Sequence, residues 1–279
     1  MLDLFSVIDP VAFRFGGLEV RWYGLIIGIA IFLGVTLAER EANRKGYPED
    51  FILDLVFWAI PIGFLGARLY YILFEWPFYM AHPSEILKIW HGGLAIYGGL
   101  IAGGLTTYWY CKKRQVSFLL LLDILAPVVL LGQMMGRWGN FVNQEAHGGE
   151  VTRQFLENLH LPEFIINQMN IHGVYYQPTF LYESVWSAIG LVVILVLRRR
   201  VKLQVGQVAW TYVLWYSFGR FFIEGLRTDS LWIFGVIRVS QALSLVLFVT
   251  GLIGGMLYYK RQIIPVYYKD ATALNKTFK

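Results

Sequence analysis

Residues 118–136 read FLLLLDILAPVVLLGQMMG, and the chain goes on directly to Arg137, Asn140, Asn143 and Glu145. A helix needs about 20 mainly apolar residues to cross the hydrocarbon of a bilayer, and this run, broken only by Asp123, supplies them. Six further windows, at residues 20–38, 51–74, 93–110, 179–197, 206–226 and 234–258, meet the same requirement. The runs are continuous, with aliphatic blocks such as Leu191 to Leu197, whereas a membrane barrel shows short strands of alternating polarity. The expectation is an all-α integral membrane protein with about seven transmembrane helices.

Composition agrees. Of 279 residues, 57% are hydrophobic and only 15% charged, with a mean hydropathy of +0.52, too apolar for a soluble domain of this size. Asp3, Asp9, Arg14 and Glu19 interrupt the N-terminus before the first span, so no cleavable signal peptide is expected. No linker, low-complexity segment or internal repeat stands out, and residues 1–279 read as a single polytopic membrane domain. Cys111 is the sole cysteine, and the five histidines lack a metalloprotease spacing, so neither a disulfide nor a metal or other cofactor is expected.

The formal charge of +5 reports orientation rather than a nucleic-acid partner. Fifteen of the 24 Lys and Arg fall after spans one, three and five and in the tail: Arg40, Arg44, Lys45; Lys112, Lys113, Arg114; Arg198, Arg199, Arg200, Lys202; Lys260, Arg261, Lys269, Lys276, Lys279. That side is expected to be cytoplasmic, with the N-terminus outside, the C-terminus inside and residues 137–178 forming a small external cap between helices four and five. Gly99 and Gly103, flanked by Gly98 and Gly104, form a GxxxG pair suited to close helix approach. Pro61 and Pro127 fall inside spans.

With this orientation, most intramembrane polar residues lie toward the outside: Tyr23, Arg68, Tyr97, Gln133, Arg137, Tyr182, Glu183, Arg220 and Glu224. Asp54 and Asp123 lie nearer the inner face. An Arg at bilayer depth costs roughly 2.5–3.5 kcal/mol on insertion scales, so Arg68, Arg137 and Arg220 need a partner, water or an anion. Tyr216, Arg220 and Glu224, at i, i+4 and i+8, share one helix face, where a purely structural Arg220–Glu224 pair is the plain reading. The segment from Gly136 through Arg137, Asn140, Asn143 and Glu145 to Gly148 joins a fixed cation, two amides and a carboxylate with flexible glycines. It suits a phosphate bearing hydroxyls, or else a polar loop cap. A nucleophile elbow is missing, so nothing points to a covalent enzyme intermediate.

The motif Gly136-Arg137-Trp138-Gly139-Asn140-Phe141-Val142-Asn143-Gln144-Glu145 resembles the signature of the bacterial prolipoprotein diacylglyceryl transferases. The resemblance extends through Arg21-Trp22-Tyr23-Gly24, His91-Gly92-Gly93-Leu94, Tyr97-Gly98-Gly99-Leu100, Gln177-Pro178, Leu181-Tyr182-Glu183 and Gly219-Arg220-Phe221-Phe222-Ile223-Glu224. It implies an enzyme of the bacterial cytoplasmic membrane that moves the diacylglyceryl group of phosphatidylglycerol to the lipobox cysteine of prolipoprotein signal peptides. A thioether forms and glycerol phosphate leaves. On that reading Arg137, Arg220 and Tyr97 are the catalytic residues. Tyr23, Asn140, Asn143, Glu145, Gly148, Tyr182, Glu183, Tyr216 and Glu224 bind substrate. Some family members carry a histidine where this chain has Tyr97, which leaves the proton acceptor open, with His91 as an alternative. A multi-span transporter of an anionic solute would also bury Arg and Glu, but it would not require the 136–145 motif.

Overall fold

The computed structural model describes residues 7–200, 202–228, 232–233, 236–261, 264 and 266–273. Lys276 and Lys279 of the basic tail, and residues 234–235 of the seventh apolar window, lie outside the described residues. In chain order the elements are β1 (Val11–Phe15), β2 (Leu18–Arg21), α1 (Trp22–Arg44), α2 (Phe51–Phe74), α3 (Trp76–Ala81), α4 (Ile96–Arg114), α5 (Phe118–Val142), β3 (Glu150–Val151), α6 (Arg153–Asn158), α7 (Glu163–Gln168), β4 (Asn170–Ile171), β5 (Val174–Tyr176), α8 (Thr179–Arg200), α9 (Gln207–Glu224), β6 (Trp232–Ile233), β7 (Ile237–Arg238) and α10 (Val239–Lys260).

Each apolar window coincides with a long helix. Five of these, α1, α2, α5, α8 and α10, are long and apolar enough to cross a membrane, as expected of a multi-pass membrane protein. Helices α4 and α9, of 19 and 18 residues, are diluted by glycine, threonine, tyrosine and terminal charges. The helices outrun the windows: α1 continues to Arg44 and α5 to Val142, because intrahelical hydrogen bonding does not stop where hydropathy does. Arg137 and Asn140, expected to follow a span, are therefore on the last turns of α5 itself.

The chain forms two compact units, residues 1–36 with 122–270 and residues 37–121 with 271–279. In the first, α1 runs antiparallel along α5. Gly139 leaves room for the Tyr23 ring, which lies 2.6 Å from where a Cβ would stand, and Val128 presses on Gly34. Helices α8 and α9 are clasped by two tryptophans. The indole N–H of Trp186 donates to the carbonyl of Trp215 and that of Trp215 to the carbonyl of Trp186, each at 3.0 Å, with the rings stacked at 4.4 Å. Gly190 and Gly219 make the clasp fit, since a Cβ at either would overlap an indole. Asp123, fully buried in α5, accepts hydrogen bonds from Gly206 N (2.6 Å) and Ala209 N (2.8 Å). It satisfies orphan donors at the start of α9, which explains a carboxylate at that depth.

Between α5 and α8 the chain builds a small module: α6, α7 and an antiparallel sheet in the order β3-β5-β4. Leu156, Ile165, Ile166 and Met169 pack with Phe141 and Phe180 in one apolar core. Buried Gln168 ties the module down, accepting from Ile8 N at 2.7 Å and donating to Val142 O at 3.0 Å.

In the second unit α2 and α4 pack backbone to backbone. A Cβ on Gly98 would overlap Gly66 and Tyr70, and Gly63 and Gly99 also face each other. This corrects the expected GxxxG contact: Gly103 and Gly104 meet nothing within 4 Å, because the helices touch through Gly98 and Gly99, one turn nearer the start of α4. Asp54 pairs with Arg114 at 2.8 Å. Arg68, 6% exposed, is satisfied by backbone carbonyls rather than by a carboxylate, donating to Ile86, Gly92, Gly93 and Glu85 at 2.5–3.1 Å. It therefore organises the segment leading into α4.

Candidate active site

Four segments of the first unit meet at one buried carboxylate. Glu183, one turn into α8 and 7% exposed, lies 2.9 Å from Arg137 of α5, 3.0 Å from Arg220 of α9 and 3.5 Å from Arg227 just beyond α9. Arg220 also pairs with Glu224 one turn on, at 2.5 Å. The expected Arg220–Glu224 pair is present, then, but as one edge of a larger network. Arg238, at the base of α10, donates to the Glu224 carbonyl. Among the described residues, Arg137, Arg220 and Arg227 thus gather around the Glu183 and Glu224 carboxylates.

Arg137 connects this cluster to the turn after α5. Its Nη1 donates to Asn140 Oδ1 at 3.3 Å; Asn140 in turn donates to Glu145 Oε1 at 2.9 Å, and Asn143 reaches the same oxygen at 3.4 Å. The amides expected to face a ligand thus spend one donor each on Glu145. Asn143 Oδ1 is buried and, among the described residues, has no hydrogen-bond partner. Gly148 is packed rather than open: it pairs with Arg227 in a backbone bridge, and a Cβ there would come within 3.1 Å of Gln177, Thr179 and the Leu226 carbonyl.

Of the other expected residues, Tyr23 packs on Gly139 beside the motif. Tyr216, one turn before Arg220, stacks on Tyr212, whose hydroxyl accepts from Gln133 at 3.1 Å. Tyr182 lines an apolar groove of about 570 Å³ with Leu181, Val185, Ile189, Phe222 and Leu226. That groove begins next in sequence to Glu183 and Arg227 and runs about 12 Å along α8, at 1.5 Å per residue. Tyr97, the second residue of α4, and His91 belong to the second unit. There His91 Nδ1 lies 2.7 Å from Glu85 Oε2, and hydrogen bonds from Lys88 and then His91 hold the Glu85 carboxyl below the usual carboxylate range. Among the described residues no group of three His, Cys, Asp or Glu side chains is placed to hold a metal.

Sequence reasoning missed Arg227. It sits seven residues after Arg220, two helical turns on, and that spacing was the available signal.

These features define a multi-pass membrane protein with a buried cluster of arginines and glutamates beside an apolar groove. The family model described as prolipoprotein diacylglyceryl transferase matches residues 10–258. The chain is 53% identical to the phosphatidylglycerol–prolipoprotein diacylglyceryl transferase of Lactobacillus acidophilus, covering 96% of each. It is 53% identical to that of Listeria monocytogenes, covering 94% of each, and 50% identical to that of Lactobacillus delbrueckii subsp. bulgaricus, covering 98% of each. The chain belongs to the prolipoprotein diacylglyceryl transferase family.

Proposed function

We infer that this chain transfers the diacylglyceryl group of phosphatidylglycerol to the cysteine thiol of a prolipoprotein lipobox. The sulfur attacks the glyceryl carbon bonded to the phosphate oxygen, a C–S bond forms as the S–H and C–O bonds break, the C–O electron pair leaves on glycerol phosphate, and the thiol proton is released with that phosphate. The observation that carries the site assignment is the convergence of Arg137, Arg220 and Arg227 on Glu183. A phosphodiester monoanion suits a convergence of guanidinium groups, and such groups, fixed in a water-poor setting, stabilise the charge that grows on the leaving oxygen. Glu183 and Glu224 hold those groups in place before the lipid arrives. Asn143 Oδ1 accepts from a headgroup hydroxyl, Asn140 and Glu145 fix the turn around it, and Gly148 lets that turn close on Arg227. Tyr23 and Tyr216 wall the site, and Tyr182 guides an acyl chain into the α8–α9 groove.

The same reading makes the whole chain one polytopic domain of the bacterial cytoplasmic membrane, crossing it seven times, N-terminus outside, with the module between α5 and α8 as an external cap. Packing directions support it: α1/α5, α2/α4 and α8/α9 are antiparallel pairs, as alternating crossings require. The test is purified protein in vesicles with phosphatidylglycerol and a lipobox peptide. The expected products are a diacylglyceryl thioether and glycerol phosphate in equal amounts; neither product in folded protein overturns the reading.

A further inference from the structure

Ahead of the first span stands a hairpin with two unlike faces. Strands β1 and β2 turn through Gly16 and Gly17, with φ of 55° and 85°, as a two-residue primed turn requires. The register pairs Phe13 with Val20, Arg14 with Glu19 and Phe15 with Leu18. Directly opposed residues share a face and successive ones alternate. One face is therefore Phe13, Phe15, Leu18 and Val20, and the other carries the Arg14–Glu19 ion pair at 3.1 Å. The apolar face is open: Phe13 is 53% exposed, Phe15 79% and Leu18 74%.

What covers it follows from where it is attached. Strand β2 ends at Arg21 and the membrane-crossing helix α1 begins at Trp22 with no intervening residue. Trp22 N donates to Pro10 O at 3.0 Å, so the entry to the hairpin is fastened to the first turn of the span. Trp22 and Tyr23, both partly exposed, are the residues that settle at headgroup depth. Strands of 4 and 5 residues extend about 15 Å at 3.3 Å per residue, so the whole apolar face stays within reach of the interface.

We propose that this hairpin lies flat on the leaflet from which α1 enters, with Phe13, Phe15 and Leu18 among the upper acyl chains and Arg14 and Glu19 facing water. It is an interfacial anchor that fixes the depth of Trp22 and Tyr23, and through Tyr23 the depth of the Gly139 turn that carries Arg137. The proposal does not depend on the transferase reading.

The test uses full-length protein in which Cys111→Ala removes the native thiol, with Phe15→Cys or Glu19→Cys carrying an environment-sensitive fluorophore. The protein is placed in vesicles of phosphatidylglycerol and phosphatidylethanolamine. The label at 15 is expected to be quenched by nitroxide lipids labelled high on the acyl chain and shielded from aqueous iodide, and the label at 19 to show the reverse. Equal iodide quenching at both positions overturns the proposal. So does a label at 15 shielded from iodide but untouched by nitroxide lipid, which would mean that a second copy or a peptide covers the face.

Discussion

Glu183 is the carboxylate on which Arg137, Arg220 and Arg227 converge. Its two oxygens hold three guanidinium groups, so neutralising it leaves like charges facing one another in a poorly hydrated space. Glu183→Gln is expected to lower unfolding stability by about 3–5 kcal/mol, the usual consequence of breaking a buried pair, read as a fall in the thermal midpoint in detergent. Arg137→Gln and Arg220→Gln are expected to keep the fold and lose about 100-fold or more in kcat/KM, the scale of one missing charge-stabilising donor. Near wild-type turnover in either removes that arginine from the site. Tyr97 gives a sharper discrimination. If its hydroxyl takes part in proton transfer, Tyr97→Phe loses activity and Tyr97→His keeps turnover; if it only shapes the pocket, Tyr97→Phe keeps much of the activity. Unchanged rate and pH dependence in both variants shift attention to His91. Most of the cluster was legible because charge at membrane depth demands explanation. Arg227 was not, because it follows the apolar stretch of α9, where an arginine costs nothing. The ties from Asn140 and Asn143 to Glu145 depend on a turn geometry that composition does not encode.

The elements that carry these residues are aligned by close contacts that hydropathy registers only as small or aromatic residues. Helices α8 and α9 bring Glu183 to Arg220 because Trp186 and Trp215 interlock over Gly219 and Gly190. A side chain at Gly219 overlaps the Trp186 indole, costs about 1–3 kcal/mol as overpacking, and endangers two indole hydrogen bonds of about 1 kcal/mol each. Gly219→Leu is therefore expected to lower the thermal midpoint and to weaken lipid turnover as Glu183 and Arg220 separate. Gly103→Leu, with open space around it, is expected to change neither; equal loss in both variants refutes the clasp. The positions of the seven helices were readable from apolar length alone, but their ends and mates were not. Helix α5 continues six residues past its window to Val142, since backbone hydrogen bonding is indifferent to hydropathy. The α2–α4 contact passes through Gly98, and its mate Gly66 lies 32 residues earlier, out of reach of any local sequence pattern.

At the scale of the whole molecule, charge and packing direction are independent lines to one topology. Basic residues gather at the ends of α1, α4 and α8 and past α10, with Arg44 the last residue of α1 and Lys113 and Arg199 one residue before the ends of α4 and α8, and the positive-inside tendency favours a cytoplasmic place for such ends. Within each unit the pairing of helices alternates as successive crossings demand: Tyr23 meets Gly139, Trp186 meets Gly219, and Asp54 meets Arg114. Asp123, by contrast, sits near the start of α5 and caps the start of α9, which fits two crossings of the same direction. The packing directions require only that crossings alternate, and the basic ends favour the orientation with the arginine cluster toward the outer leaflet. The prediction is that, in a Cys111→Ala background and intact cells, a membrane-impermeant thiol reagent labels a cysteine at His160, in the exposed turn between α6 and α7. Cysteines at Arg44, Lys113 and Arg199 should be labelled only after the cells are opened. The native thiol must go for the contrast to be clean, although Cys111 is buried. Labelling at Lys113 in sealed cells, with none at His160, reverses the orientation and moves Arg137 and Arg220 to the cytoplasmic side.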